Sequence, residues 1–154
     1  DVLVDPLLDK KGLHNLKGEV AIASAKKAYQ IYKEVFNSDR FKALQAKGAG
    51  TQRVLWASTS SKDPSFSDVK YVEALIGPDT INTIPLETLE AFKDHGDATA
   101  RLEEGSQEAD EVMNRLKEAG IDIDKITQQL EDEGIEKFNK PFDKLMAAID
   151  NHRK

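Results

Sequence analysis

With 154 residues, 39% of them hydrophobic, the chain has the size of one ordinary domain and enough apolar residues to build a core. Its 28 acidic residues outnumber 22 basic ones, and the formal charge of −6 argues against general nucleic-acid binding, which needs a basic face. It has no cysteine, which excludes disulfides, thiolate metal sites and cysteine nucleophiles. His14, His95 and His152 lie too far apart for metal-ligand spacing, so no metal is expected. No apolar run approaches the roughly 18 residues of a membrane span and no signal-peptide pattern is present. A soluble, cytosolic protein is the expectation.

In chain order, DVLVDPLLDKKG reads as a helical turn ended by Gly12. Because the sequence opens on Asp1 and not on methionine, this turn is expected to follow an element outside the chain. A helix is predicted from Glu19 to Phe36, with Ala21, Ala25, Ala28, Tyr32 and Val35 on one face at spacings of three and four. Ser38 or Asp39 can cap a second short helix, RFKALQAKG, closed by Gly48. Val54 to Ala57 is a continuous apolar run, the pattern of a strand buried on both faces in a parallel sheet. A short helix over Asp68–Ile76 ends at Gly77-Pro78, and DTINTIP is a second, β-branched strand stopped by Pro85. Pro85 then opens PLETLEAFKDHG, a helix closed by Gly96.

The last third changes character. Ala109, Val112, Met113 and Leu116 form one helical stripe, and Ile123, Ile126 and Leu130 form another. Ile135, Phe138, Phe142, Leu145, Met146 and Ile149 continue the spacing, after a solvated break at Glu131–Gly134 and with a kink or restart at Pro141. Asp122 and Asp124 read as turn and cap residues. Helix, strand, helix, strand, helix describes an α/β domain with parallel crossovers. Two parallel strands alone cannot cover their own edges, so the chain reads as the last part of a larger α/β domain.

Chemistry concentrates where the first strand ends. Parallel strands in α/β proteins carry their functional groups at the carboxyl end, and Ser58, Thr59, Ser60, Ser61 and Lys62 sit there. Hydroxyls and loop N–H groups can donate to phosphate oxygens, and Lys62 adds a positive point charge. Asn82 and Thr83 on the next strand can add polar contacts to the same pocket. Hydroxyl-rich turns are also common as plain loops, and composition alone gives that reading equal weight. Trp56 reads as a core or barrel-wall residue, and His95 as a favourable charge in a helix's last turn.

At these residues the sequence resembles the transaldolases, in particular the plant, cyanobacterial and actinobacterial type. The match runs through GEVAIASAKKAYQIYKEVF and QRVLWASTSSKDPSFSDVKYVEALIGPDTINTIPLETLEAFKDHG to QLEDEGIEKFNKPFDKL, nearly the whole chain. The resemblance implies a (β/α)₈ TIM barrel of which this chain holds the C-terminal part. Residues 1–97 would be its last βα units with the last two strands, and residues 98–154 a C-terminal helical extension of the same domain. It implies a cofactor-free pentose phosphate enzyme that moves a dihydroxyacetone unit from sedoheptulose 7-phosphate to glyceraldehyde 3-phosphate, giving erythrose 4-phosphate and fructose 6-phosphate. A lysine Schiff base carries the transfer. Ser58 would bind substrate phosphate, with Lys62 as its cationic partner. Other transaldolases place an arginine near Ser60, and this sequence has none there. The family's nucleophilic lysine and its acid/base carboxylates lie on earlier strands, so no catalytic residue is expected in this chain. The isolated chain should then be inactive. Its partner would be the N-terminal part of the barrel, which can be a separate chain. A cytoplasmic location follows, or a plastid one in a plant. The competing expectation is an autonomous, non-enzymatic helical binding module.

Overall fold

The computed structural model describes residues 1–153. Helices dominate, and the one sheet among the described residues is a parallel pair. In chain order the elements are α1 (Asp5–Lys10), a 3₁₀ turn (His14–Leu16), α2 (Val20–Asn37), α3 (Asp39–Gln45), β1 (Val54–Trp56) and α4 (Lys70–Ala74). They continue with β2 (Thr80–Asn82), α5 (Leu86–His95), α6 (Ser106–Glu118) and α7 (Ile123–His152). By compactness the chain divides into residues 1–115 and a second unit from Leu116 onward.

Local signals place most element ends. Pro6 sits in the first turn of α1, where its missing N–H costs nothing. The Ser38 hydroxyl accepts from the Phe41 N–H at 3.2 Å and caps α3. Pro85 immediately precedes Leu86, the first residue of α5. The Asp122 carboxylate accepts from the Lys125 N–H at 3.2 Å at the start of α7.

In the first unit the core forms where α2 meets β1. Ile22 and Tyr29 of α2 cluster with Trp56, Leu75 and Leu102, and Ala25, Tyr32 and Val54 pack against them. The buried face of α2 is therefore turned from the stripe expected: Ala28 and Val35 are more exposed, while Ile22 and Tyr29 are buried. Large side chains decide the facing, because they have the most apolar area to remove from water. Tyr29 stacks on Tyr32 at 5.6 Å between centroids, Tyr32 meets Phe36 at 5.0 Å, and Phe36 meets Phe41 edge-on at 4.7 Å. Beyond the core, Lys26 donates to the Glu104 carbonyl at 2.8 Å, and Lys33 and Lys27 pair with Glu103 and Asp110. These contacts hold the segment before α6, and the start of α6 itself, against α2.

β1 and β2 pair in the register Val54–Thr80, Leu55–Ile81 and Trp56–Asn82. The parallel order was legible, but burial on both faces was not. Leu55 is 52% exposed and Ile81, its partner, 38%. Paired residues share a face, so this pair marks an uncovered side of the sheet, while Trp56 on the other side is buried.

Other expectations also change. α4 is shorter than the Asp68–Ile76 span. α7 runs unbroken through Glu131–Gly134 and Pro141. The acidic residues expected to break it instead pair along it. Gln128 donates to Asp132, Gln129 to Glu133, Lys137 to Glu133 at 3.2 Å and Lys140 to Glu136 at 2.6 Å, all at four-residue spacing. Such pairs offset the weak helix propensity of Gly134, and Pro141 removes one backbone hydrogen bond without ending the helix. Leu130, Ile135, Phe138, Phe142, Leu145, Met146 and Ile149 of α7 are all exposed, Phe138 to 83%.

Gly77 closes the turn after α4 against the core. A Cβ there would lie 2.6 Å from the Leu102 Cβ, and Leu102 is held in place because its N–H and that of Arg101 both donate to the Ile76 carbonyl at 3.0 Å. Gly77→Ala is expected to destabilise the chain by about 1–3 kcal/mol through overpacking. In urea unfolding its midpoint should fall with an unchanged slope, whereas Gly50→Ala, with nothing near its Cβ, should leave the midpoint in place. Equal midpoints for the two variants would contradict the packing argument.

Candidate functional site

The carboxyl end of β1 opens into a cavity of about 590 Å³. Ala57, Ser58, Thr59, Ser60 and Lys62 line it, together with Asp63 and Phe66 further along the same loop. The N-terminal segment contributes Asp1, Asp5 and Asp9, and Lys17 comes from the turn before α2. Tyr71 of α4 and Trp56 complete the part of the wall that matters for its chemistry. Ser58, Ser60 and Lys62 thus come together, as the sequence suggested.

Ser58 makes the loop possible. Its φ is +58°, a left-handed conformation that a residue with a Cβ adopts at a cost. The turn stops the parallel ladder after Trp56. Among the described residues, the N–H groups of Ser58 to Lys62 find no acceptor within the chain. Successive amides freed by a left-handed turn are the elements of an anion-binding nest. Lys62 donates to the Ser60 hydroxyl at 2.8 Å and, among the described residues, has no carboxylate partner.

The acidic residues around the cavity are already satisfied by donors of the chain. Asp1 accepts from the Ala21 N–H at 2.8 Å and from the Tyr71 hydroxyl at 2.6 Å. Asp5, which is buried, accepts from the Gly18 N–H at 3.2 Å. Asp9 accepts from Lys17 and bonds the His14 ring, each at 2.9 Å. These bonds, Lys17 first, lower the Asp9 pKa. Asp63 accepts from both the Ser65 hydroxyl at 2.7 Å and the Ser65 N–H at 2.8 Å, which likewise lowers its pKa. Burial raises the pKa of Tyr71. The carboxylates face inward to donors, and the unpaired donors and the unneutralised Lys62 are left for a ligand. That arrangement suits an anion.

Asn82 and Thr83, expected in the pocket, do not line it. The Asn82 side-chain amide oxygen accepts from the Thr59 hydroxyl at 2.9 Å, and the Thr83 N–H and hydroxyl both donate to the Trp56 carbonyl, at 2.9 and 3.2 Å. They fasten the two strand ends to each other. Trp56 is a core residue with its indole N–H buried and unpaired. His95 lies in the last turn of α5, as expected, and it bonds Asp68 at 2.9 Å and Asp94 at 3.2 Å, carboxylates that raise its pKa.

The model of the Transaldolase/Fructose-6-phosphate aldolase family matches residues 2–149. The chain belongs to that family. It is 47% identical to the transaldolase of Trichodesmium erythraeum, over 97% of this chain and 43% of that protein. It is 48% identical to transaldolase 2 of a Nostoc species, over 96% of this chain and 39% of that protein. The identity to the transaldolase of Saccharopolyspora erythraea is 46%, over 95% and 42%. The chain therefore spans about two fifths of the length of the curated relatives it matches. No helix among the described residues is long and apolar enough to cross a membrane, and no group of metal-ligating side chains occurs among them.

Sequence reasoning about this transaldolase-family chain missed Lys17, Asp9 and Tyr71. Only the Lys17-Gly18 pair hinted at them. Gly18 has φ +72°, and a Cβ there would lie 2.7 Å from the Phe66 ring. The backbone of the turn before α2 can thus sit against the loop after β1, which brings Lys17 to the cavity.

The Ser58 conformation yields a test. Ser58→Gly should raise stability by up to about 1 kcal/mol, since glycine adopts positive φ without the Cβ penalty. Ser58→Ala keeps the penalty and should not stabilise. Urea midpoints of the two variants decide: a glycine variant no more stable than the alanine variant would show that Ser58 carries no strain.

Proposed function

We propose that this chain forms the phosphate-binding end of a transaldolase site. Residues 1–97 are then the last βα units of a (β/α)₈ barrel, with β1 and β2 as its final strands, and residues 98–154 are a helical extension of the same domain. The remaining strands come from a part of the polypeptide like the three fifths of the relatives' length that the match does not span. The exposed pair Leu55 and Ile81 supports this, because an interior barrel face becomes uncovered when its neighbours are elsewhere. So does the exposed apolar stripe of α7.

The observation that carries the reading is the cavity at the end of β1, where free amides, two serines and an unpaired lysine meet while every nearby carboxylate is engaged. Ser58 donates to a phosphate oxygen and Lys62 supplies charge to it. The substrates are the ketose phosphates sedoheptulose 7-phosphate and fructose 6-phosphate and the aldose phosphates glyceraldehyde 3-phosphate and erythrose 4-phosphate. Holding the phosphate end fixes the sugar's carbonyl against a lysine amine supplied by an earlier strand, where the Schiff base forms. By the resemblance none of the lysines here takes that role: Lys26, Lys27 and Lys33 lie on α2, and Lys62 lies in the loop after β1. The chemistry needs no cofactor, and the chain works in the cytoplasm, or in a plastid in a plant.

In the complete enzyme carrying this sequence, Ser58→Ala and Lys62→Ala should each weaken phosphosugar binding by about 1.5–3 kcal/mol, roughly a 10- to 100-fold rise in KM. The chain by itself should show no turnover. Unchanged KM values for both substrates, or turnover by the purified chain alone, would overturn the proposal.

A further inference from the structure

We infer that Lys17 is a second cationic contact for the substrate phosphate, reaching the cavity from the turn before α2 while Lys62 reaches it from the loop after β1. The inference rests on the reading of this cavity as the phosphate end of a transaldolase site. Lys17 and Lys62 both line the cavity that holds Ser58 and Ser60. Lys17 is not a free surface lysine: only 28% of its side chain is exposed, and its ammonium is held 2.9 Å from Asp9. Asp9 is shared with His14, so its charge is divided between two partners. An ammonium has three N–H donors, and Asp9 takes one. The others remain for an anion in the cavity.

Two structural features fix Lys17 in this position. The Gly18 N–H is bound to the buried Asp5 carboxylate, which anchors the residue that follows Lys17. Gly18 itself lies against Phe66 in the loop after β1, closer than any residue with a Cβ allows. The turn and the loop are therefore neighbours. In keeping with this, Asp9 foremost, and Asp63 and Asp5 more weakly, raise the Lys17 pKa and keep it charged. Asp9 acts as a clamp that fixes the lysine's direction, in contrast to Lys62, which leans on a neutral hydroxyl. One wall of the cavity supplies a cation held by a carboxylate and the other a cation held only by a hydroxyl, and Ser58 lines the same cavity.

The test uses the complete enzyme with Lys17→Met and Lys17→Arg. Two readouts are needed: the affinity for inorganic phosphate by calorimetry, and KM for glyceraldehyde 3-phosphate against unphosphorylated glyceraldehyde. Lys17→Met should weaken inorganic phosphate and raise KM for glyceraldehyde 3-phosphate about tenfold, the scale of one charge-assisted contact. KM for glyceraldehyde should stay within about twofold, and Lys17→Arg, which keeps the charge, should recover most of the loss. If the methionine variant does not fold, Lys17→Gln takes its place. A change of equal size for both aldehydes, or none for inorganic phosphate, overturns the assignment. Absence of turnover in the wild type, with phosphate affinity still dependent on Lys17, would instead defeat the transaldolase reading and leave the Lys17 contact standing.

Discussion

The carbonyl of Trp56 is where the two strands are fastened. It accepts from both the N–H and the hydroxyl of Thr83, and further along the loop the Thr59 hydroxyl is bound to Asn82. A parallel pair only three residues long has few ladder bonds of its own, and these side-chain contacts extend it past its formal end. They also bracket Ser58. With Trp56 and Thr59 both tied to the neighbouring strand, the residues between them must turn sharply, and Ser58 takes the left-handed conformation that closes the gap. The same turn that ends the ladder releases the amides of the following loop. Strand pairing and the freed amides of the loop are thus consequences of one local constraint.

Electrostatics then decide what such a site can hold. The chain is acidic overall, and several of its carboxylates surround the cavity. An anion would be repelled if those charges faced it unpaired. Each carboxylate instead has a structural role. Asp1 joins α2 to Tyr71, Asp5 anchors Gly18, Asp9 grips Lys17, and Asp63 shapes its own turn with Ser65. Close donors weaken the field of these carboxylates at a ligand, whereas Lys62, bound to a neutral hydroxyl, keeps its own, and Lys17, though paired with Asp9, still has N–H donors to offer. Net charge is therefore a poor guide to this site.

Much of this was readable from local chemistry. Ser38 and Asp122 announce their helices because a cap is set by the next three residues, and Val54–Trp56 and Thr80–Asn82 announce a parallel pair through β-branched and apolar runs. That Ser58, Ser60 and Lys62 share a cavity follows from their place at a strand's carboxyl end. What escaped depended on distant partners. The facing of α2 was misjudged because small alanines matched the period, while Ile22 and Tyr29 carried the burial. Leu55 read as buried because periodicity cannot tell how many sides of a strand are covered within one chain. The continuity of α7 rests on pairs such as Lys137–Glu133 across Gly134, which composition disguised as a break. Lys17 and Asp9 join the cavity through a contact between Gly18 and the distant Phe66, and no spacing rule encodes that.

The central claim is that the turn at Ser58 frees a run of amides to bind phosphate. It is tested most directly by titrating the isotopically labelled chain with inorganic phosphate and following its amide proton and nitrogen resonances. Saturable shifts concentrated at Ser58, Thr59, Ser60, Ser61 and Lys62 are the predicted result. Shifts that never saturate, or that fall on α7 while this loop stays silent, would contradict it.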